Sequence, residues 1–64
     1  MTHQKQIEVK QRLYAKWVEE TSYGNPPNFA MKLARKVLLA ELKDEGVTNQ
    51  LAISMIQEAA DEIH

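Results

Sequence analysis

Cysteine is absent from this 64-residue chain, so disulfide bonds and thiolate metal sites are excluded. Small secreted domains commonly depend on disulfides, and their absence favours a reducing compartment. We therefore expect a cytoplasmic protein. The longest uninterrupted apolar run, Val37 to Ala40, is four residues, whereas a membrane-spanning helix needs roughly 18. No membrane partner is expected.

Glycine and proline are scarce, with two of each. Two glycines cannot build the glycine-rich loops that hold phosphates in Walker or Rossmann sites. Gly24, Pro26 and Pro27 fall together, which predicts one long connection over residues 21–28. Gly46, followed by Val47 and Thr48, is typical of a helix end and the cap of a following helix. The breakers therefore divide the chain into three stretches.

Each stretch has the apolar spacing of an amphipathic helix. We predict helices over about residues 4–21, 28–45 and 48–63, with Asn25 or Asn28 capping the second. The expected apolar side of the first helix consists of Ile7, Leu13, Tyr14, Trp17 and Val18. The expected main stripe of the second consists of Phe29, Leu33, Val37 and Ala40, with a separate apolar group of Met31, Leu38 and Leu42. The third helix is apolar over a wide arc.

These patterns predict an all-α fold, a small three-helix bundle forming a single domain over residues 1–64. A fold of about 60 residues buries only about 60% of the surface that its unfolded chain exposes. The second helix is also apolar on two sides, so dimerisation is expected to complete the core.

Catalytic residue sets are not evident. An acyl-transfer site needs a nucleophile, a base within hydrogen-bond reach and a group that orients the base. The only histidines that could act as the base, His3 and His64, lie at the chain ends. Asp61 and His64 have helical i,i+3 spacing, but two ligands at a helix end do not make a specific metal site. We therefore expect no enzymatic activity, no cofactor and no bound metal.

Charge divides unevenly along the chain. Residues 1–36 carry seven Lys or Arg and three Glu, a net charge of +4, while residues 37–64 carry one Lys and six Asp or Glu, a net charge of −5. Such asymmetry fits a basic surface for an acidic partner, self-complementarity between copies, or two solvated faces. The candidate basic face consists of Lys5, Arg12, Lys16, Lys32 and Lys36.

The leading functional hypothesis is a protein-protein interaction or regulatory module that self-associates or binds another protein. Its candidate contact residues are Tyr23, Met31, Leu38, Leu42 and Ile53. The alternative is a nucleic-acid-binding accessory protein, which requires the basic residues of the first two helices to share one face. The second and third helices have the outline of a helix-turn-helix, but residues 48–63 contain no Lys or Arg to contact phosphates.

Overall fold

The computed structural model describes residues 3–63 and contains three helices in that range: α1 (His3–Ser22), α2 (Pro27–Asp44) and α3 (Asn49–Ile63). No strand occurs among these residues. The Cα atoms extend over 34 × 21 × 14 Å, and each helix packs against the other two. The predicted all-α three-helix bundle is therefore confirmed, with each helix end within one residue of its predicted position.

The two connections between the helices contain the glycines that the sequence pattern assigned to them. α1 ends in a turn in which the Gly24 N–H donates to the Thr21 carbonyl at 3.0 Å, and Gly24 adopts φ +96°. At the end of α2, the N–H of Val47 donates to the carbonyl of Leu42 and that of Gly46 to Lys43, at 3.0 and 3.1 Å. This pair of bonds is a Schellman motif, and it uses the left-handed φ of +97° that Gly46 adopts.

The predicted cap of α3 is observed, whereas that of α2 is wrong. The Thr48 hydroxyl accepts the Leu51 N–H at 3.3 Å. α2 instead starts at Pro27 with Pro26 before it and no side-chain cap. Proline suits the first helical position because its missing N–H would have no partner there. Asn25 turns back to α1, where its Nδ2 donates to the Glu20 carbonyl at 3.1 Å.

The core uses only part of the predicted side of α1, where Leu13 and Trp17 pack inward, and a different face of α2 from the one predicted. On α1, Val9 and Leu13 are fully buried, while Ile7, Tyr14 and Val18 of the predicted side are 43–53% exposed. On α2, the predicted main stripe faces outward: Phe29 and Val37 are 49% and 44% exposed. The group expected to be secondary is buried instead, together with two alanines: Ala30, Met31, Ala34, Leu38 and Leu42.

The α1–α2 contact explains which face of α2 packs inward. Small side chains at Ala30 and Ala34 let neighbouring helices approach closely. Glu41 lies next to the Leu38–Leu42 side of the helix and reaches the cations of α1. Rotating α2 to bury Val37 would instead turn Met31 and Leu42 out of the core, because they lie about 120° and 140° around the helix from it. α3 adds the alanines Ala52, Ala59 and Ala60, with Met55 and Ile56, to the same core.

Candidate docking surface

Three of the five residues of the predicted basic face belong to an ion-pair network between α1 and the C-terminal end of α2. The Arg12 guanidinium donates to Glu45 at 2.7 Å and to Glu41 at 2.9 Å, and Lys16 donates to Glu41 at 2.8 Å. Lys5 lies 3.8 Å from Glu45. The pKa of Glu41 is lowered mainly by the hydrogen bond from Lys16 and further by the one from Arg12. A hydrogen bond from Arg12 also lowers the pKa of Glu45. The cations of this network are therefore already paired with carboxylates of the same molecule.

Lys32 and Lys36 lie on another side of α2. They precede Glu41 by nine and five residues, and at about 100° per residue this places them roughly 180° and 140° around the helix from it. Glu41 faces α1, so these lysines point away from α1. Lys5, Arg12 and Lys16 therefore do not form one basic face with them, as the nucleic-acid hypothesis required. The separation could not be predicted because it depends on how α1 and α2 pack.

Among the residues that the structure describes, the cations of α2 lack the ion pairs that those of α1 have. Within residues 3–63, every Lys or Arg of α1 forms a salt bridge, Lys10 doing so with Glu62 at 3.3 Å. No salt bridge in the described part of the chain involves a cation of α2. Arg35 donates to a neutral acceptor, the Gln57 amide oxygen of α3, at 2.6 Å. The positive charge of these residues is therefore open to a partner: Lys32, Arg35, Lys36 and Lys43.

Two of these cations, Arg35 and Lys36, border an apolar cleft between α2 and α3. A cavity of about 250 Å³ is lined by two cations and three apolar residues: Arg35, Lys36, Leu39, Ile53 and Ile56. A second cavity, of about 420 Å³, adjoins it through Arg35 and is lined also by Asn28, Met31 and Lys32. Ile53 is 49% exposed, so apolar surface remains open at the centre of the cleft.

The outer surface of α3 that adjoins the cleft at Ile53 is acidic. Ile53 also borders a shallow cavity of about 500 Å³ on α3, which is lined further by Gln50, Ser54, Gln57, Glu58 and Asp61. Neither Glu58 nor Asp61 forms an ion pair within residues 3–63, although Gln57 donates to Asp61 at 3.1 Å. We call this surface the mixed-charge face and define it as a basic edge, an apolar centre and an acidic edge: Lys32, Arg35 and Lys36; Leu39 and Ile53; Glu58 and Asp61.

Only one of the predicted contact residues lies on the mixed-charge face. Ile53 is at its centre, whereas Met31, Leu38 and Leu42 are 0–5% exposed in the core of the single chain. Those three are therefore wrong as surface contacts, because the helix faces of α2 were assigned the wrong way round. Tyr23 is 69% exposed beside α1, and its hydroxyl donates to Glu19 at 3.2 Å, which raises the pKa of Tyr23.

A separate aromatic groove lies along α1. Tyr14 and Trp17 meet edge to face with ring centroids 6.1 Å apart, and the Trp17 indole donates to the Pro27 carbonyl at 3.0 Å. The groove measures about 420 Å³ and also includes Val18 and Thr21. Sequence reasoning missed it because these aromatic residues were expected in the core.

No group of three potential metal ligands occurs within residues 3–63, and His64 lies outside the described part of the chain. None of the described helices combines the length and apolar character needed to cross a bilayer. No protein-family model, curated protein sequence or solved structure matches this chain. Function is therefore inferred from surface geometry and charge.

Proposed function

We propose that this protein is a non-enzymatic protein-interaction module that docks its partner on the mixed-charge face. The partner segment carries an apolar side chain that enters the cleft at Leu39 and Ile53, and carboxylates that pair with the basic edge. The observation that supports this most directly is that Lys32, Arg35 and Lys36 form no ion pair within residues 3–63 and lie beside a cleft with half-exposed apolar surface.

The chemistry of the face suits a protein rather than a small molecule. Burying apolar surface provides affinity, while rim charges mainly select the partner and speed association. The apolar cleft of about 250 Å³ lies below the range of roughly 300 to 1,000 Å³ that is usual for small-molecule sites, and the two larger cavities that adjoin it are lined mainly by polar and charged side chains. One aliphatic or aromatic side chain of a helix fills such a space, as in helix-in-groove recognition.

Nucleic-acid binding is the second candidate, now restricted to α2. Lys32, Lys36 and Lys43 follow one another at spacings of four and seven residues, so they share one side of the helix. Phosphate binding by these residues leaves the apolar cleft unused and brings the carboxylates of Glu58 and Asp61 close to the nucleic-acid backbone. For this reason we favour a protein partner.

Selection from a random peptide library displayed on phage tests the proposed function. The chain is immobilised sparsely, and selection is repeated with Lys36→Glu. The matched control is Gln4→Glu with Gln11→Glu, which produces the same change in net charge at two exposed positions of α1. We expect peptides with carboxylates flanking apolar residues, bound by the parent and the control but lost with Lys36→Glu.

Two results would contradict the proposal. One is the recovery of no peptide that distinguishes Lys36→Glu from the control. The other is binding of a short DNA or RNA duplex that weakens steeply with salt and is lost in Lys36→Glu, because affinity from phosphate contacts falls with each released counterion. That second result would replace the protein partner with a nucleic acid.

A further inference from the structure

We infer that the mixed-charge face binds a second copy of this chain, giving a two-fold dimer whose axis runs parallel to α2 and α3. The inference rests on the proposed function because it names the partner of the same face. It follows from the arrangement of opposite charges at the two edges of that face.

The contact between α2 and α3 shows which residues of the two helices lie at the same level, that is, at the same position along the helix axes. Arg35 is hydrogen-bonded to Gln57, so these two residues are level. Leu39 follows Arg35 by four residues and shares a cavity with Ile53, which precedes Gln57 by four residues. α2 and α3 are therefore antiparallel, and one step toward the start of α2 corresponds to one step toward the end of α3.

Opposite charges consequently stand at matching levels. Lys32 lies three residues before Arg35, and Asp61 lies four residues after Gln57, so at about 1.5 Å per residue both are about 5 Å from the Arg35–Gln57 level in the same direction. Lys36 and Glu58 each lie within about 2 Å of that level. Two basic residues on one edge are thus level with two acidic residues on the other.

A two-fold axis parallel to the helices uses this arrangement. Such an axis places the basic edge of one copy against the acidic edge of the other, without shifting either copy along the helix direction. Lys32 then faces Asp61 and Lys36 faces Glu58, and both pairs occur twice because the contact is isologous. An axis perpendicular to the helices would place like-charged edges together, so charge selects the parallel axis.

The apolar centre lies close to this axis. Ile53, 49% exposed in the single chain, meets Leu39 and Ile53 of the second copy between the two charged edges. α2 and α3 of both copies then form two helix layers, as in a four-helix arrangement. A chain of 64 residues without disulfides has little buried apolar surface, and association buries more of it.

Sedimentation equilibrium of charge-reversed variants tests the inference. The acidic variant carries Lys32→Glu and Lys36→Glu, and the basic variant carries Glu58→Lys and Asp61→Lys. Each has two edges of like charge, so its dissociation constant as a homodimer should rise at least about tenfold. An equimolar mixture places acidic edges against basic edges and should restore the dimer, at twice the 7.4 kDa of one chain.

Control variants separate this geometry from net charge. Gln4, Ala15, Ser22 and Ala40 are all exposed and lie outside the mixed-charge face. Changing all four to Glu, or all four to Lys, gives the same net charges as the acidic and basic variants, −5 and +3 from the parent value of −1. Both control variants should dimerise alone. Circular dichroism of every variant establishes that it is folded.

A parent chain that stays at 7.4 kDa up to about 1 mM overturns the inference, as does a mixture of the acidic and basic variants that remains monomeric. If the parent is monomeric but the peptide selection succeeds, the second copy is the wrong partner and the proposed function stands. If the dimer forms as expected but no peptide is selected, the face serves self-association and not the docking of other proteins.

Discussion

Leu38 and its neighbour Val37 test which face of α2 forms the core. Leu38 is fully buried, whereas Val37 is 44% exposed on the stripe that the sequence pattern favoured. We expect Leu38→Ala to destabilise the protein strongly and Val37→Ala to have little effect. The two changes are adjacent in the same helix, so each serves as the matched control for the other.

The magnitude follows from burial. Removing a buried leucine side chain leaves a cavity and costs about 2 to 5 kcal/mol. Native domains have about 0.05 to 0.15 kcal/mol of stability per residue, which gives roughly 3 to 10 kcal/mol for a chain of this size. Leu38→Ala therefore removes a large share of the total. Val37→Ala, at a half-exposed position where alanine also favours the helix, should stay within about 0.5 kcal/mol of the parent.

The free energies of unfolding of both variants are measured by urea and thermal unfolding, monitored by far-ultraviolet circular dichroism. In a domain of this size, 1 kcal/mol corresponds to a change in Tm of about 4 to 8 °C, so Leu38→Ala should lower Tm by roughly 10 °C or more. Equal losses of stability in the two variants would refute the assignment of the core face. A larger loss for Val37→Ala would show that α2 packs through its Phe29–Val37 stripe.

Two further predictions concern acid stability and the end of α2. The pKa values of Glu41 and Glu45 are lowered in the folded protein, so their contribution to stability is present above the ordinary value of 4.5 and is lost as pH falls through the folded values. In urea titrations, the parent should therefore lose more stability below pH 4.5 than a Glu41→Gln, Glu45→Gln double variant; equal losses would contradict this. Gly46 has open space around it but adopts φ +97°, so Gly46→Ala should cost about 1 kcal/mol in urea unfolding through backbone strain alone. Gly46→Asn should cost less, since asparagine tolerates this region better, and an unchanged stability of Gly46→Ala would be inconsistent with a left-handed helix end.

Local signals were sufficient to place the helices. Gly24 with the following prolines, and Gly46 with Thr48, mark the ends because they act through backbone geometry within a few residues. The apolar faces were harder. α2 has two apolar stripes at helical spacing, and periodicity does not show which one has a neighbour to pack against.

The candidate site was only partly predictable for a related reason. Lys32, Lys36 and Ile53 were singled out from charge and apolar pattern, but they were assigned to two different surfaces. Arg35 and Leu39 were not singled out. The packing of α2 on α3 brings four of these residues to one cleft and Lys32 to the cavity that adjoins it, and no spacing within a single helix reports on that contact.

The sequence by itself determined an all-helical chain, three helices and their ends, because propensity, breakers and caps act locally. Only the tertiary structure decided which residues are buried, since each helix face gains burial from a partner that is distant in sequence. The same packing pairs Lys5, Arg12 and Lys16 of α1 with Glu41 and Glu45, and it leaves Arg35 and Lys36 of α2 beside Ile53. The mixed-charge face exists because ion pairing inside the molecule uses the cations of one helix and spares those of the other.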